Sequence, residues 1–356
     1  MKLRSIELLR GIAALSVAIA HADALIGGNA DLPFGRWHQF AMPGTAGVEF
    51  FFVLSGFVMA LAHGAEIGPG GNVGRFLWKR FCRIYPLYWL VLAWPLHQFW
   101  GAPSVTPAAI AQWATLAPVR TDNLVVVAWT LRQEVTFYLV LSLCLLPRIG
   151  PAILVLWVAI TTAIWFLVSA PAVPGIAGIV WSHVFSIFDF EFFAGLAAGW
   201  LLRRAPLGRT AGAAILAAGL ALVAWRMSQD GWGAEYGPVI ARPIYGAAYA
   251  AVILGCATLE RAGTLRFGPR AARVTWLAGA ISYPLYLVHL PVLDVVARTL
   301  GQRGVAARIG PDATFAVLLA SAVLGGVVLA LAVDQPLQRL LRRVSAGSRS
   351  SQPAPV

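Results

Sequence analysis

The sequence predicts an all-α polytopic membrane protein, a bundle of about ten transmembrane helices with both termini in the cytoplasm. Three observations carry that expectation. Of the 356 residues, 59% are hydrophobic and only 12% charged, where soluble globular chains hold roughly 45–50% and about 25%; mean hydropathy is +0.74. The apolar residues gather in stretches long enough, or nearly so, to cross ~30 Å of hydrocarbon as helices, and alternating β-barrel segments do not occur. Most of the 27 Lys and Arg residues fall in alternate connections between those stretches.

Taken in order, the stretches lie near 6–26, 46–63, 84–100, 128–147, 152–169, 183–202, 211–227, 239–258, 275–297 and 313–333. Lys2 and Arg4 precede the first. Arg75, Lys79, Arg80 and Arg83 follow the second, and Arg148 follows the fourth. Arg203, Arg204 and Arg209 follow the sixth, and Arg261, Arg266, Arg270 and Arg273 the eighth. Arg339, Arg342 and Arg343 follow the tenth. Lys and Arg accumulate on the cytoplasmic side of a membrane, so the net charge of +12 reads as orientation in a lipid bilayer, not as a nucleic-acid surface. The expected location is the cell (inner) membrane, in multiple passes. Ala20-His21-Ala22 has the small residues of a signal-peptide cleavage site, but Glu7 and Arg10 crowd the charged end that such a peptide needs. The bundle is expected over 1–340, with a basic to Ser/Pro-rich disordered cytoplasmic tail over 341–356.

Cys82, Cys144 and Cys256 are far apart and match no metal-ligand spacing; no metal is expected. The informative residues are ionisable ones inside apolar stretches, where each is costly. Eleven residues separate Arg10 from His21, which places both on one helix face, roughly 16 Å apart along the axis. Arg80 and Arg83 share a face at i, i+3, and paired guanidiniums suit bidentate phosphate binding. Glu134 follows Trp129-Thr130-Leu131 by a few residues, at a depth similar to that of His21, and precedes Phe137-Tyr138. Ser282, Tyr286 and His289, at i, i+4 and i+7, form a polar stripe on an otherwise apolar helix flanked by Pro284 and Pro291. Asp189 and Glu191 form a weaker pair and receive no role.

Several of these segments occur in the order found in a known family. They are Leu9-Arg10-Gly11 through His21, Gly47-Val48-Glu49 through Leu54-Ser55-Gly56-Phe57, Arg80-Phe81-Cys82-Arg83-Ile84-Tyr85-Pro86, Trp129 through Tyr138, Ile281-Ser282-Tyr283 through His289, and Asp334-Gln335-Pro336-Leu337. Together, from residue 9 to about 340, they resemble the acyltransferase-3 family of integral-membrane acyltransferases. The resemblance implies transfer of an acyl group, commonly acetyl from acetyl-CoA, to a hydroxyl of a cell-surface or exported glycan, a lipid or a small-molecule acceptor. It also implies that Arg10 and His21 match the family's membrane-embedded Arg and His, and Arg80 and Arg83 its paired-arginine motif. Glu49 stands where Asp is usual, and Glu134 alone remains where two adjacent acids are frequent.

On that basis Arg10, Arg80 and Arg83 are expected to hold the anionic CoA moiety. His21 would be general base or transient acyl carrier, with Glu134 orienting its imidazole. Trp129, Tyr286 and His289 are candidates for contacting substrate or the developing oxyanion. Two alternatives remain open at this level: a proton-coupled secondary transporter, with His21 and Glu134 as a relay, and a non-catalytic partner in glycan export.

Overall fold

The computed structural model describes residues 3–28, 46–118, 123–167, 175–229 and 240–347. Lys2 and the last nine positions of the expected tail, 348–356, lie outside the described residues. Among the described residues every regular element is a helix. In chain order these are α1 (Arg4–Gly28), α2 (Gly47–His63), α3 (Val73–Gln98), α4 (Pro107–Thr115), α5 (Ala128–Cys144), α6 (Gly150–Phe166), α7 (Gly175–Val184), α8 (Asp189–Arg204), α9 (Arg209–Gln229), α10 (Ala241–Arg261), α11 (Pro269–Gln302) and α12 (Val305–Leu329). A π-helical turn over Ala330–Asp334 then joins α12 to α13 (Gln335–Gly347).

A helix lies over each of the ten apolar stretches. Six segments are long and apolar enough to cross a membrane: Arg4–Ile26, Ala177–Arg204, Arg209–Gln229, Ala241–Arg261, Pro269–Gln302 and Val305–Arg343. Two shorter apolar helices, Gly47–His63 and Gly150–Phe166, accompany them. The remaining two are more polar for a visible reason: α3 opens with Arg75, Lys79, Arg80 and Arg83, and α5 carries Arg132 and Glu134. α11 runs for 34 residues through both Pro284 and Pro291. α12 has a break at Gly310 (φ 79°, ψ 174°), immediately before Pro311.

α13 runs to Gly347, across position 341 where the sequence places the start of the tail. Leu337, Leu340, Leu341 and Val344 alternate with Gln338, Arg339, Arg342 and Arg343 at helical spacing, and that amphipathic pattern sustains the helix past the end of the apolar stretch.

The bundle pairs α1 with α11, α2 with α8, α9 with α10 and α11 with α12. Small residues permit the close crossings, since packing rather than hydrophobic burial drives helix association in lipid. At the α2–α8 crossing, a Cβ on Gly56 would collide with the Phe192 carbonyl, and one on Gly195 with that of Val53. The largest apolar core, which includes Phe52, Met59, Phe76, Tyr88, Phe137 and Phe192, gathers around α2, α3, α5 and α8; the Phe137 and Phe192 rings stack at 3.7 Å.

Helix ends are tied to one another at one side of the bundle. Glu260, at the end of α10, accepts from the Arg4 and Ser5 backbone N–H groups, each at 2.8 Å, and from the Ser5 hydroxyl at 2.6 Å. Those N–H groups have no partner within α1. Arg261 donates to the Leu202 carbonyl at 2.6 Å, and Arg203 to the Ala60 and Leu61 carbonyls at 3.1 and 3.2 Å. The start of α1 and the ends of α2, α8 and α10 therefore share one side, as the spacing of the basic connections requires.

Candidate functional site

α11 presents Ser282, Tyr283, Tyr286 and His289 towards α1, α3 and α5. His289 is fully buried. Its Nδ1 lies 3.1 Å from the Leu285 carbonyl of the preceding turn, and its Nε2 lies 3.0 Å from Nδ1 of His21 on α1. A carbonyl only accepts, so His289 Nδ1 carries a proton and donates it. In the neutral ring Nε2 is then an acceptor, and His21 Nδ1 must be the donor to it. That sequence leaves Nε2 of His21 as the basic atom of the pair. Hydrogen bonding at one ring nitrogen sets the chemistry of the other.

One turn away, the Tyr286 ring sits 5.9 Å from the His289 ring. Its hydroxyl is 2.7 Å from that of Thr130 on α5 and donates to the Val127 carbonyl at 3.3 Å. Tyr286 also lines a cavity of ≈150 Å³, in which the charged side chains are Arg10, Arg80, Arg83 and Glu134. Three guanidiniums against one carboxylate leave the cavity positive. Glu134 is held by two hydroxyls: Ser55 donates to its Oε1 at 2.7 Å and Tyr138 at 2.5 Å. Arg80 lies over the rings of Tyr138 at 5.6 Å and Phe76 at 5.8 Å, and its Nε is buried without a hydrogen-bond partner. Arg83 lies over the Tyr283 ring at 5.0 Å. Such cation–π placement holds a guanidinium while leaving its N–H groups available to an anion.

The structure therefore brings Arg10, Arg80, Arg83, Glu134 and Tyr286 to one cavity and joins His21 to His289 beside it. It does not join Glu134 to His21. Nε2 of His289 lies at 3.0 Å from Nδ1 of His21, and Glu134, expected to orient the imidazole, faces the arginines. Equal counts of residues from two helix starts fix depth only, not the rotation of each helix about its axis. Trp129 does not line the cavity; it packs against Phe188 at 5.3 Å and Phe52 at 6.3 Å. Ser55, Tyr138 and Tyr283 also line the cavity; the sequence holds them in the segments that carry the family resemblance but assigns them no role. Tyr138 was legible, since it stands four residues after Glu134 on the same face.

A second buried polar group lies at the start of α8. Arg242 pairs with Glu49 at 2.9 Å over the Phe188 ring, Asp189 accepts from Gln133 at 3.2 Å and from the Ser186 N–H at 3.0 Å, and Glu191 is fully buried. Among the described residues no three His, Cys, Asp or Glu side chains gather as a metal site.

The family model described as an acyltransferase domain, acyltransferase-3, matches residues 3–333. The exopolysaccharide production protein ExoZ of Rhizobium meliloti (strain 1021) is 29% identical over 328 residues, covering 87% of this chain and 95% of that protein. Protein 2 in the picA locus of Rhizobium radiobacter is 41% identical over 88 residues, 24% of this chain and 39% of that protein. No solved structure matches. A match spanning nearly all of the helical bundle decides the family: the chain belongs to the acyltransferase-3 family, as a multi-pass membrane acyltransferase.

Proposed function

We propose that this protein transfers an acyl group, acetyl in the simplest case, from acyl-CoA on the cytoplasmic side to a hydroxyl of an exported glycan. The observation that carries the reading is the positive cavity of Arg10, Arg80 and Arg83 beside the His21–His289 pair. The similarity to a protein named for exopolysaccharide production, across 95% of its length, supports a glycan acceptor. A bundle of ten spans with both termini in the cytoplasm completes the proposal and puts the arginine half on the side where CoA is found.

A cavity of ≈150 Å³ suits the acyl end of the donor and not its nucleotide, so the arginines act at its mouth on the anionic part of CoA. The acceptor hydroxyl loses its proton to Nε2 of His21 as its oxygen attacks the thioester carbonyl. His289 holds the imidazole in the required tautomer and shares the resulting charge, the part that a carboxylate plays in a catalytic triad. Tyr286, which lines the cavity, is the donor to the developing oxyanion once its hydroxyl turns away from the Val127 carbonyl, and Thr130 holds that hydroxyl in place. Collapse breaks the C–S bond and leaves the acyl group on the acceptor oxygen, and the proton on His21 balances the departing thiolate.

The test is purified full-length protein in lipid nanodiscs, given labelled acetyl-CoA and an exopolysaccharide repeating unit. Release of CoA thiol matched by label on the glycan is expected. Movement of glycan across the bilayer without thioester consumption would overturn the reading in favour of transport.

A further inference from the structure

Asp334 ends the π-helical turn between α12 and α13. The residue is wholly buried, and its Oδ2 accepts no hydrogen bond. The cation that compensates it is Arg83, with Nη1 at 3.6 Å from Oδ2. That separation is an ion-pair distance and exceeds a hydrogen bond, so it aims the guanidinium without consuming its N–H groups. Gln338, one turn further on α13, ties the arrangement to α3: its Nε2 donates to the Cys82 carbonyl at 2.9 Å and reaches Asp334 Oδ1 at 3.4 Å. On its other side Arg83 rests on Tyr283, whose hydroxyl donates to the Ile84 carbonyl at 2.7 Å. Cys82 and Ile84 flank Arg83 in the chain, so α11 and α13 grip the backbone of α3 on both sides of this one arginine. A π turn inserts an extra residue into a helix and re-aims the side chains beyond it, a device frequent at functional sites. Here it delivers a carboxylate into the bundle opposite Arg83.

We infer that Asp334 is a positioning residue, which aims the Arg83 guanidinium at the mouth of the cavity for the phosphate groups of acyl-CoA. A buried carboxylate oxygen without a hydrogen-bond donor is costly, and aiming Arg83 is the return that the structure offers for it. The inference rests on the reading of Arg83 as a donor contact, and the test separates the two.

Acetyl-CoA binding is measured by calorimetry on full-length protein in nanodiscs, with thermal midpoints recorded alongside. Arg83→Gln should weaken binding roughly tenfold, the scale of one charge-assisted hydrogen bond. Asp334→Asn, which keeps the shape and removes the charge, should weaken it to a similar extent, and Asp334→Glu should recover most of the loss. The double variant Arg83→Gln, Asp334→Asn should bind no worse than Arg83→Gln alone, because the carboxylate acts only through the arginine. If Arg83→Gln binds normally, the donor-site reading fails and the inference falls with it. If Arg83→Gln is weak but Asp334→Asn binds normally, or the two losses multiply, the inference alone is overturned. A lowered thermal midpoint with unchanged binding would also overturn it, as the mark of a purely structural carboxylate. Should the asparagine variant fail to insert, Gln338→Met reads the same relationship: weaker binding is expected, and normal binding counts against Asp334.

Discussion

His21 and His289, 268 positions apart in the chain, meet at 3.0 Å between Nδ1 and Nε2 on helices α1 and α11. The Leu285 carbonyl fixes the far side of His289 at 3.1 Å, so the order of donors along the pair runs in one direction only. Removing His289 takes away the acceptor that faces Nδ1 of His21. His289→Ala should therefore lower kcat by about 10²-fold while acetyl-CoA affinity stays near normal. His21→Ala should abolish transfer, and adding His289→Ala to it should cost nothing further. Steady-state kinetics with a fixed glycan acceptor checks both. A loss confined to KM for the donor would show that the pair binds instead of reacting.

Glu134 stands apart from that pair. Its Oε1 receives the hydroxyls of Ser55 and Tyr138, and its charge faces three arginines. Glu134→Gln preserves both hydroxyl contacts but leaves the guanidiniums unbalanced. The thermal midpoint without ligand should fall, and acetyl-CoA should raise it by more than it does in the unaltered protein, because a bound anion restores the balance. Since Glu134 and His289 share no hydrogen bond, their effects on turnover should multiply in the double variant. A double variant no slower than the slower single one would place them in a single unit.

Glu260 offers a test of the fold itself. It accepts three hydrogen bonds from Arg4 and Ser5 and so supplies the cap that α1 lacks in its own sequence. Losing a helix cap costs about 0.5–2 kcal/mol, so Glu260→Ala should lower the thermal midpoint by a few degrees. Because α1 carries both Arg10 and His21, activity at elevated temperature should fall with it, while activity at low temperature is retained. An unchanged midpoint would mean that water caps this end equally well.

Some of this site was legible in the sequence and some was not, for physical reasons that differ by residue. The stripe of Ser282, Tyr286 and His289 arises from helical periodicity, which is local. So does the shared face of Arg10 and His21, and the pairing of Arg80 with Arg83. The apolar stretches gave the positions of the long helices because a lipid environment demands continuous apolar length. Contacts that join residues across helices have no such local signature. Nothing between positions 21 and 289 announces that those two rings meet, and the partners of Glu134 depend on how α2 and α5 are rotated against each other. The short helices α4 and α7 are not marked by apolar length either; α4 is set by Thr106, which accepts from the Ala109 N–H at 3.2 Å, and by Pro107 in its first turn.

The crossing of α2 and α8 ties fold to site most directly. Gly195 lies so close to the Val53 carbonyl that an added Cβ would overlap backbone, which cannot swing aside as a side chain could. α2 supplies Phe51, Phe52, Leu54, Ser55, Val58 and Met59 to the cavity wall, so a displacement of α2 moves the hydroxyl that holds Glu134. Gly195→Ala should therefore lower stability by roughly 1–3 kcal/mol, the usual cost of overpacking, and weaken acetyl-CoA binding together with it. Gly208→Ala is the control for donor binding: nothing lies within 4 Å of its added Cβ, and although alanine is a poorer N-cap for α9, acetyl-CoA affinity should stay unchanged. Calorimetry and thermal unfolding in nanodiscs read the two effects separately. If Gly195→Ala loses stability with donor binding intact, the crossing supports the bundle alone and the cavity does not depend on its spacing.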